Sequence, residues 1–167
     1  NNVEIGIHIA DVTHYLEKDT LLDKEAKKRG TSVYLSDRVV PMLPEILSND
    51  LCSLNPNEDK NVFSVLVEID NNYNIISKEF SKCLINSNER MSYQEAQHVI
   101  ENKNGKLAAD VTITKKKRSL SKELVEAILK LNTVALKLKE KRKNEGSVFF
   151  NKEEVRFVVN DQGEPTD

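Results

Sequence analysis

Between residues 119 and 143, Leu124, Ala127, Ile128, Leu131, Ala135 and Leu138 recur at i, i+3, i+4, i+7, i+11 and i+14. That spacing lines one face of an α-helix and suits no strand. The chain must therefore commit about seven turns of backbone to one amphipathic helix. It must also supply an apolar surface to hold that helix, because isolated helices are marginal in water. Asn144-Glu145-Gly146 ends it.

The remaining segments carry the period of strands. Val3, Ile5, Ile7 and Ile9 alternate, which predicts a strand over residues 3–9 that stops at Ile9 or Val12. Residues 62–69 and 75–85 read as strands flanking the hairpin turn Asp70-Asn71-Asn72-Tyr73-Asn74. A polar helix over 23–29, acidic first and basic last, ends at Gly30, and a strand over 31–35 follows. Two prolines make residues 41–44 a constrained loop, with a short helix over 44–47 after it. Ser92 and Glu95 have capping-box spacing, so a helix runs to about Glu101. Residues 102–114 read as a loop of variable length, and strands over 147–150 and 155–159 complete the chain.

Composition excludes several classes. With 25 basic and 27 acidic residues the chain is neither a polycation nor an acidic tail. No apolar run approaches the roughly 20 residues that span a bilayer, so no membrane partner is expected. Cys52 and Cys83 give neither a metal spacing nor a disulfide framework, which favours a reducing compartment such as the cytoplasm. Charge is uneven, however. Residues 112–145 hold eleven basic and four acidic side chains, as a solvated helix face would, or a basic wall beside a nucleic-acid path.

His8, Asp11 and His14 stand three apart. In an extended strand the two histidines face one way and the aspartate the other, so convergence on a metal would need a bend after Asp11. Exposed histidines and a turn-forming aspartate explain the same residues. Tyr34, Phe149 and Phe150 flank basic segments. Exposed rings beside cations stack on unpaired bases, whereas buried rings would simply be core.

Several ordered motifs resemble one family. Gly6-Ile7-His8-Ile9-Ala10-Asp11-Val12-Thr13-His14-Tyr15 is followed by Leu22-Asp23-Lys24-Glu25-Ala26 and Arg29-Gly30-Thr31-Ser32-Val33-Tyr34-Leu35. Then come Asp37-Arg38-Val39-Val40-Pro41-Met42-Leu43-Pro44-Glu45 and Leu47-Ser48-Asn49-Asp50-Leu51-Cys52-Ser53-Leu54-Asn55-Pro56. Arg90-Met91-Ser92-Tyr93-Gln94-Glu95-Ala96-Gln97 and Gly146-Ser147-Val148-Phe149-Phe150 continue the series. Together they resemble the catalytic (RNB) domain of the ribonuclease II / ribonuclease R family, in wording most like its bacterial ribonuclease R members.

The resemblance implies an α/β (α+β) fold, a partial RNB domain with a curved mixed β-sheet flanked by helices. It implies a processive, metal-dependent 3′-to-5′ exoribonuclease that hydrolyses single-stranded RNA to 5′-mononucleotides. The alternative is an RNA-binding or regulatory family member without catalysis. The family's D-x5-D-x-D-D cluster, which holds Mg²⁺, lies upstream of the His8–Asp11 motif. The expectation is therefore that residues 1–167 are an internal fragment, truncated at both ends, with no catalytic or metal-ligating residue of its own, and inactive alone. Tyr34 and Phe150 match the two rings that grip the RNA 3′ end, and Asp11 is left either as a partner to the groups around the metal or as a structural residue, not as a ligand. A cut sheet would expose strand edges, so self-association of the fragment is expected as well.

Overall fold

The computed structural model describes residues 2–35, 37–148 and 160. Phe149, Phe150 and the strand expected over 155–159 lie outside the described residues, while Ser147 and Val148 form no strand. The elements in chain order are β1 (Val3–Ala10), a 3-10 turn (Val12–His14), α1 (Leu21–Arg29), β2 (Val33–Tyr34), β3 (Val39–Val40) and a π-helical turn (Ile46–Leu51). They continue with β4 (Asp59–Ile69), β5 (Ile75–Asn86), α2 (Tyr93–Asn102), β6 (Lys106–Leu107), β7 (Arg118–Ser119) and α3 (Lys122–Asn144). This mixture of helices and sheets bears out the expected fold class.

The main sheet has the order β1-β4-β5. β1 runs antiparallel to β4, since Asn2 Nδ2 reaches Glu68 Oε1 at 2.7 Å near one end and the Asp11 amide reaches the Asn61 carbonyl at 2.9 Å near the other. The expected hairpin turn joins β4 to β5. Asp70 Oδ1 accepts the amides of Asn72 and Asn74, both at 2.8 Å, and Tyr73 takes the left-handed conformation that closes the turn. One bridge is parallel, Pro56 with Ser87. Alternation sorts the sheet's side chains. Val62 and Ser64 are buried on one face, while Ile7, Ile9, Phe63, Phe80 and Leu84 are exposed.

The chain divides into two compact units. One holds described residues 2–3, 68–76 and 89–148, the other 4–35, 37–67, 77–88 and 160. In the first, Val99, Leu107, Leu120 and Val125 form the core, with Leu124, Ile128 and Leu129 packed on it. The expected loop over 102–114 is thus partly strand. β6 pairs antiparallel with β7 so that Leu107 enters this core. Two-residue strands carry no alternation to read, which is why the segment looked irregular.

α3 starts at Lys122, three residues later than expected, because the Ser121 hydroxyl caps it by accepting the Leu124 amide at 3.2 Å. Its apolar stripe is only half used. Val125 and Val134 are buried, whereas Ala127, Leu131 and Ala135 are exposed. The first half rests on the core just described. Val134, further along, lines a small cavity with Val3, Ile69 and Tyr73. Two supports on different sides replace the single one that the periodicity predicts.

In the second unit, α1 begins two residues before the expected start, with Thr20 as N-cap and Gly30 in the left-handed conformation at its end. The short helix placed at 44–47 is instead the wider turn over Ile46–Leu51, in which the Cys52 amide reaches back to the Leu47 carbonyl at 2.9 Å. Lys60, itself buried, holds that turn by donating to the Asp50 carbonyl at 3.0 Å.

Candidate nucleic-acid interface

Tyr34 sits on β2, and the strand expected over 31–35 shortens to two residues paired as Val33↔Val40 and Tyr34↔Val39. The Leu35 amide donates to the Arg38 carbonyl at 2.8 Å and closes the tip. The base of this ribbon is fastened by Arg29 Nη1 on the Pro41 carbonyl (2.9 Å) and by the Met42 amide on Ser32 Oγ (2.9 Å). Among the described residues nothing comparable covers its tip. Tyr34 is 78% exposed, and Val33, Leu35, Val39 and Val40 are exposed as well. The possibility that Tyr34 is a core ring is therefore excluded. Arg38, also exposed, lies at the same tip, ion-paired with Asp37 at 3.2 Å. An uncovered ring can stack on a base of any kind. Phe150, the other expected ring, lies outside the described residues.

His8, Asp11 and His14 are not brought together on an ion. The chain does bend after Asp11, but the Asp11 side chain is taken up by its own turn. It accepts from the Thr13 amide and hydroxyl and pairs with Lys82 Nζ at 2.9 Å. The Thr13 hydroxyl first, then Lys82, hold its carboxyl below the usual aspartate range. His8 Nδ1 meets buried Ser64 Oγ at 2.7 Å, and His14 lies edge-on to Tyr15. Among the described residues, no group of three or more His, Cys, Asp or Glu could hold a metal ion. Burial pushes the Cys52 thiol up, so it is a poor thiolate at neutral pH.

The first unit contributes residues that sequence reasoning passed over. Glu95, read only as half of a capping box, is 1% exposed. One oxygen accepts the Ser92 amide at 2.7 Å, and the other takes Arg118 Nη2 at 3.0 Å. Burial alone would push this carboxyl up. The Ser92 amide, the Arg118 charge and the Ile113 amide outweigh it and hold the group below the ordinary glutamate range. Arg118 also pairs with Glu89 at 2.6 Å. Beside this network Tyr93 projects from the first turn of α2, 93% exposed, at the edge of a shallow cleft shared with Ile100, Asp110 and Val111. Its exposure follows from helix geometry, since Ser92 and Glu95 turn the buried side of α2 away from position 93.

A model of the RNB domain matches residues 1–167. The chain belongs to the RNB family. DIS3-like exonuclease 2 of Schizosaccharomyces pombe is 41% identical over 163 residues, which is 97% of this chain and 17% of that protein. Among solved structures, Mycoplasma genitalium RNase R in complex with double-stranded RNA superposes with a TM-score of 0.82 at 31% identity, over 97% of this chain and 27% of that one. Yeast Ssd1, a pseudonuclease, matches at a TM-score of 0.53 and 26% identity over 60% of this chain and 12% of its own. The chain thus spans less than a third of each of these relatives. They come from bacteria and eukaryotes alike, so the bacterial wording read from the motifs is not a distinguishing mark. They also include both nucleases and a pseudonuclease, so the RNB fold alone does not decide catalysis.

Proposed function

We propose that this chain is the RNA-gripping part of a metal-dependent 3′-to-5′ exoribonuclease that degrades single strands to 5′-mononucleotides in the cytoplasm. The observation that carries the reading is Tyr34, an uncovered ring on an anchored ribbon whose apolar neighbours are all exposed. Such a ring stacks on the last base of a strand through its π-face and tolerates any sequence. The described residues do not fit an ion, because Asp11 and His8 are already bonded and no ligand group forms. No hydrolytic step is therefore assigned to them. The Mg²⁺ that the family resemblance implies would be held by other residues.

The test uses the full-length protein with Mg²⁺ and a 5′-labelled single-stranded oligonucleotide. The expected result is stepwise shortening to a short final product, and Tyr34→Ala should leave a longer one. An unchanged final product removes Tyr34 from the grip. Binding without any shortening supports the second reading, a non-catalytic RNA-binding member like the pseudonuclease neighbour. The exposed sheet face of Ile7, Ile9, Phe63, Phe80 and Leu84 further supports self-association of the isolated chain, which light scattering would read as a mass above that of one copy.

A further inference from the structure

The ribbon β6–β7 and the loop joining its strands carry charge out of proportion to their size. Residues 103–118 contain six basic side chains and one acidic, Asp110. Arg118 is directed inward, to Glu89 and Glu95. Lys103, Lys106, Lys115, Lys116 and Lys117 are exposed, and none forms an ion pair among the described residues. α3 pairs some of its cations. Lys122 pairs with Glu126 and Lys137 with Glu140, while Lys141 donates to Asn74 Oδ1 at 2.8 Å. The loop adds three consecutive lysines, Lys115, Lys116 and Lys117, with no carboxylate beside them in sequence.

The loop is built to hold that charge in place. Thr112 is buried, and its hydroxyl donates to the Lys116 carbonyl at 2.8 Å and accepts the Lys116 amide at 3.1 Å. Lys115 is kept in the left-handed conformation, with its amide on the Thr112 carbonyl at 3.1 Å. Arg118 fastens the C-terminal end, reaching the Arg90 carbonyl at 3.0 Å besides its two carboxylates. Three consecutive lysines repel one another, and a rigid turn that fixes them without an internal counter-ion is poised for an external polyanion.

We propose that this loop contacts the phosphate backbone of single-stranded RNA through charge, whereas Tyr34 acts through stacking. The proposal rests on the RNA-binding reading above. A strand with one negative charge per nucleotide gains affinity at such a row by releasing its condensed counter-ions.

The test measures fluorescence anisotropy of a 5′-labelled oligo(U) against the full-length protein, in EDTA so that the probe survives, across a KCl titration. Each neutralised phosphate contributes about −0.7 to the slope of log K against log salt for single strands. Joint replacement Lys115→Ala, Lys116→Ala and Lys117→Ala should therefore flatten the slope by about 2, which is of the order of a hundredfold in affinity near 0.1 M salt. Triple replacement by arginine should keep the original slope, and both variants should melt like the parent. An unchanged slope in the alanine variant overturns the proposal. So does loss of poly-glutamate binding with RNA binding intact, which would assign the loop to an acidic protein partner. If the parent protein fails to bind oligo(U) at any salt, the RNA-binding reading falls and this proposal with it. If Tyr34→Ala weakens binding at constant slope while the lysine variant changes nothing, only the loop assignment fails.

Discussion

The ribbons β2–β3 and β6–β7 have the same backbone, two residues paired antiparallel with two. They differ in what secures them. β6–β7 is held by its own side chains, with Leu107 in the core and Arg118 locked to Glu89 and Glu95. Among the described residues β2–β3 is held at its base, through Arg29 and Ser32, and turns its apolar side chains outward. A ribbon that buries its apolar groups has mainly charge left to show, whereas one that leaves them bare offers an apolar surface. The same small motif thus presents two kinds of contact, and the choice lies in one buried leucine and one buried ion pair.

The sharpest way to break this contrast is Glu95→Ala. It leaves the Arg118 guanidinium without its buried partner and should cost about 3 kcal/mol, read by urea unfolding. A loss below about 1 kcal/mol would mean that the network does not secure β6–β7. Acid gives an independent check. The Glu95 carboxyl lies below its ordinary value of 4.5, so its stabilisation is complete above that pH and drains away as pH falls below it. The stability gap between the parent and Glu95→Gln should narrow in that same window; a gap constant down to pH 3 would be the contrary result.

Gly105→Ala should come next, at about 2 kcal/mol, because a Cβ there would stand 2.8 Å from the Leu120 carbonyl oxygen and 3.0 Å from Val125. Ser121→Ala removes the cap of α3 and should cost about 1 kcal/mol, seen as a lower urea midpoint at constant slope. Val40→Thr, on the bare ribbon, should fall within about 0.5 kcal/mol of the parent. Equal losses for Gly105→Ala and Val40→Thr would erase the distinction between the two ribbons.

Local signals in the sequence found local structure. The Asp70 turn, the Ser92–Glu95 capping box and the Gly30 cap each rest on hydrogen bonds within five residues, and each stands where the pattern put it. Pairings across longer separations were hidden. Nothing near Glu95 announces Arg118, and nothing in Lys106-Leu107 announces Arg118-Ser119. Of the candidate site, Tyr34 was legible as a residue type in a recognisable motif, but its exposure depends on a two-residue pairing that no periodicity reveals. The bend after Asp11 was foreseen as a condition for a metal site. It occurs, and Thr13 and Lys82 take the carboxylate instead.

The two separate supports of α3 leave the stripe of Ala127, Leu131 and Ala135 carrying little load. Leu131 is 48% exposed, with Ala127 and Ala135 exposed on either side of it. A beam can be repainted on the side that touches no pier without sagging. Polar replacement at these three positions should cost this chain little, whereas the same change at buried Val125 or Val134 should cost much more.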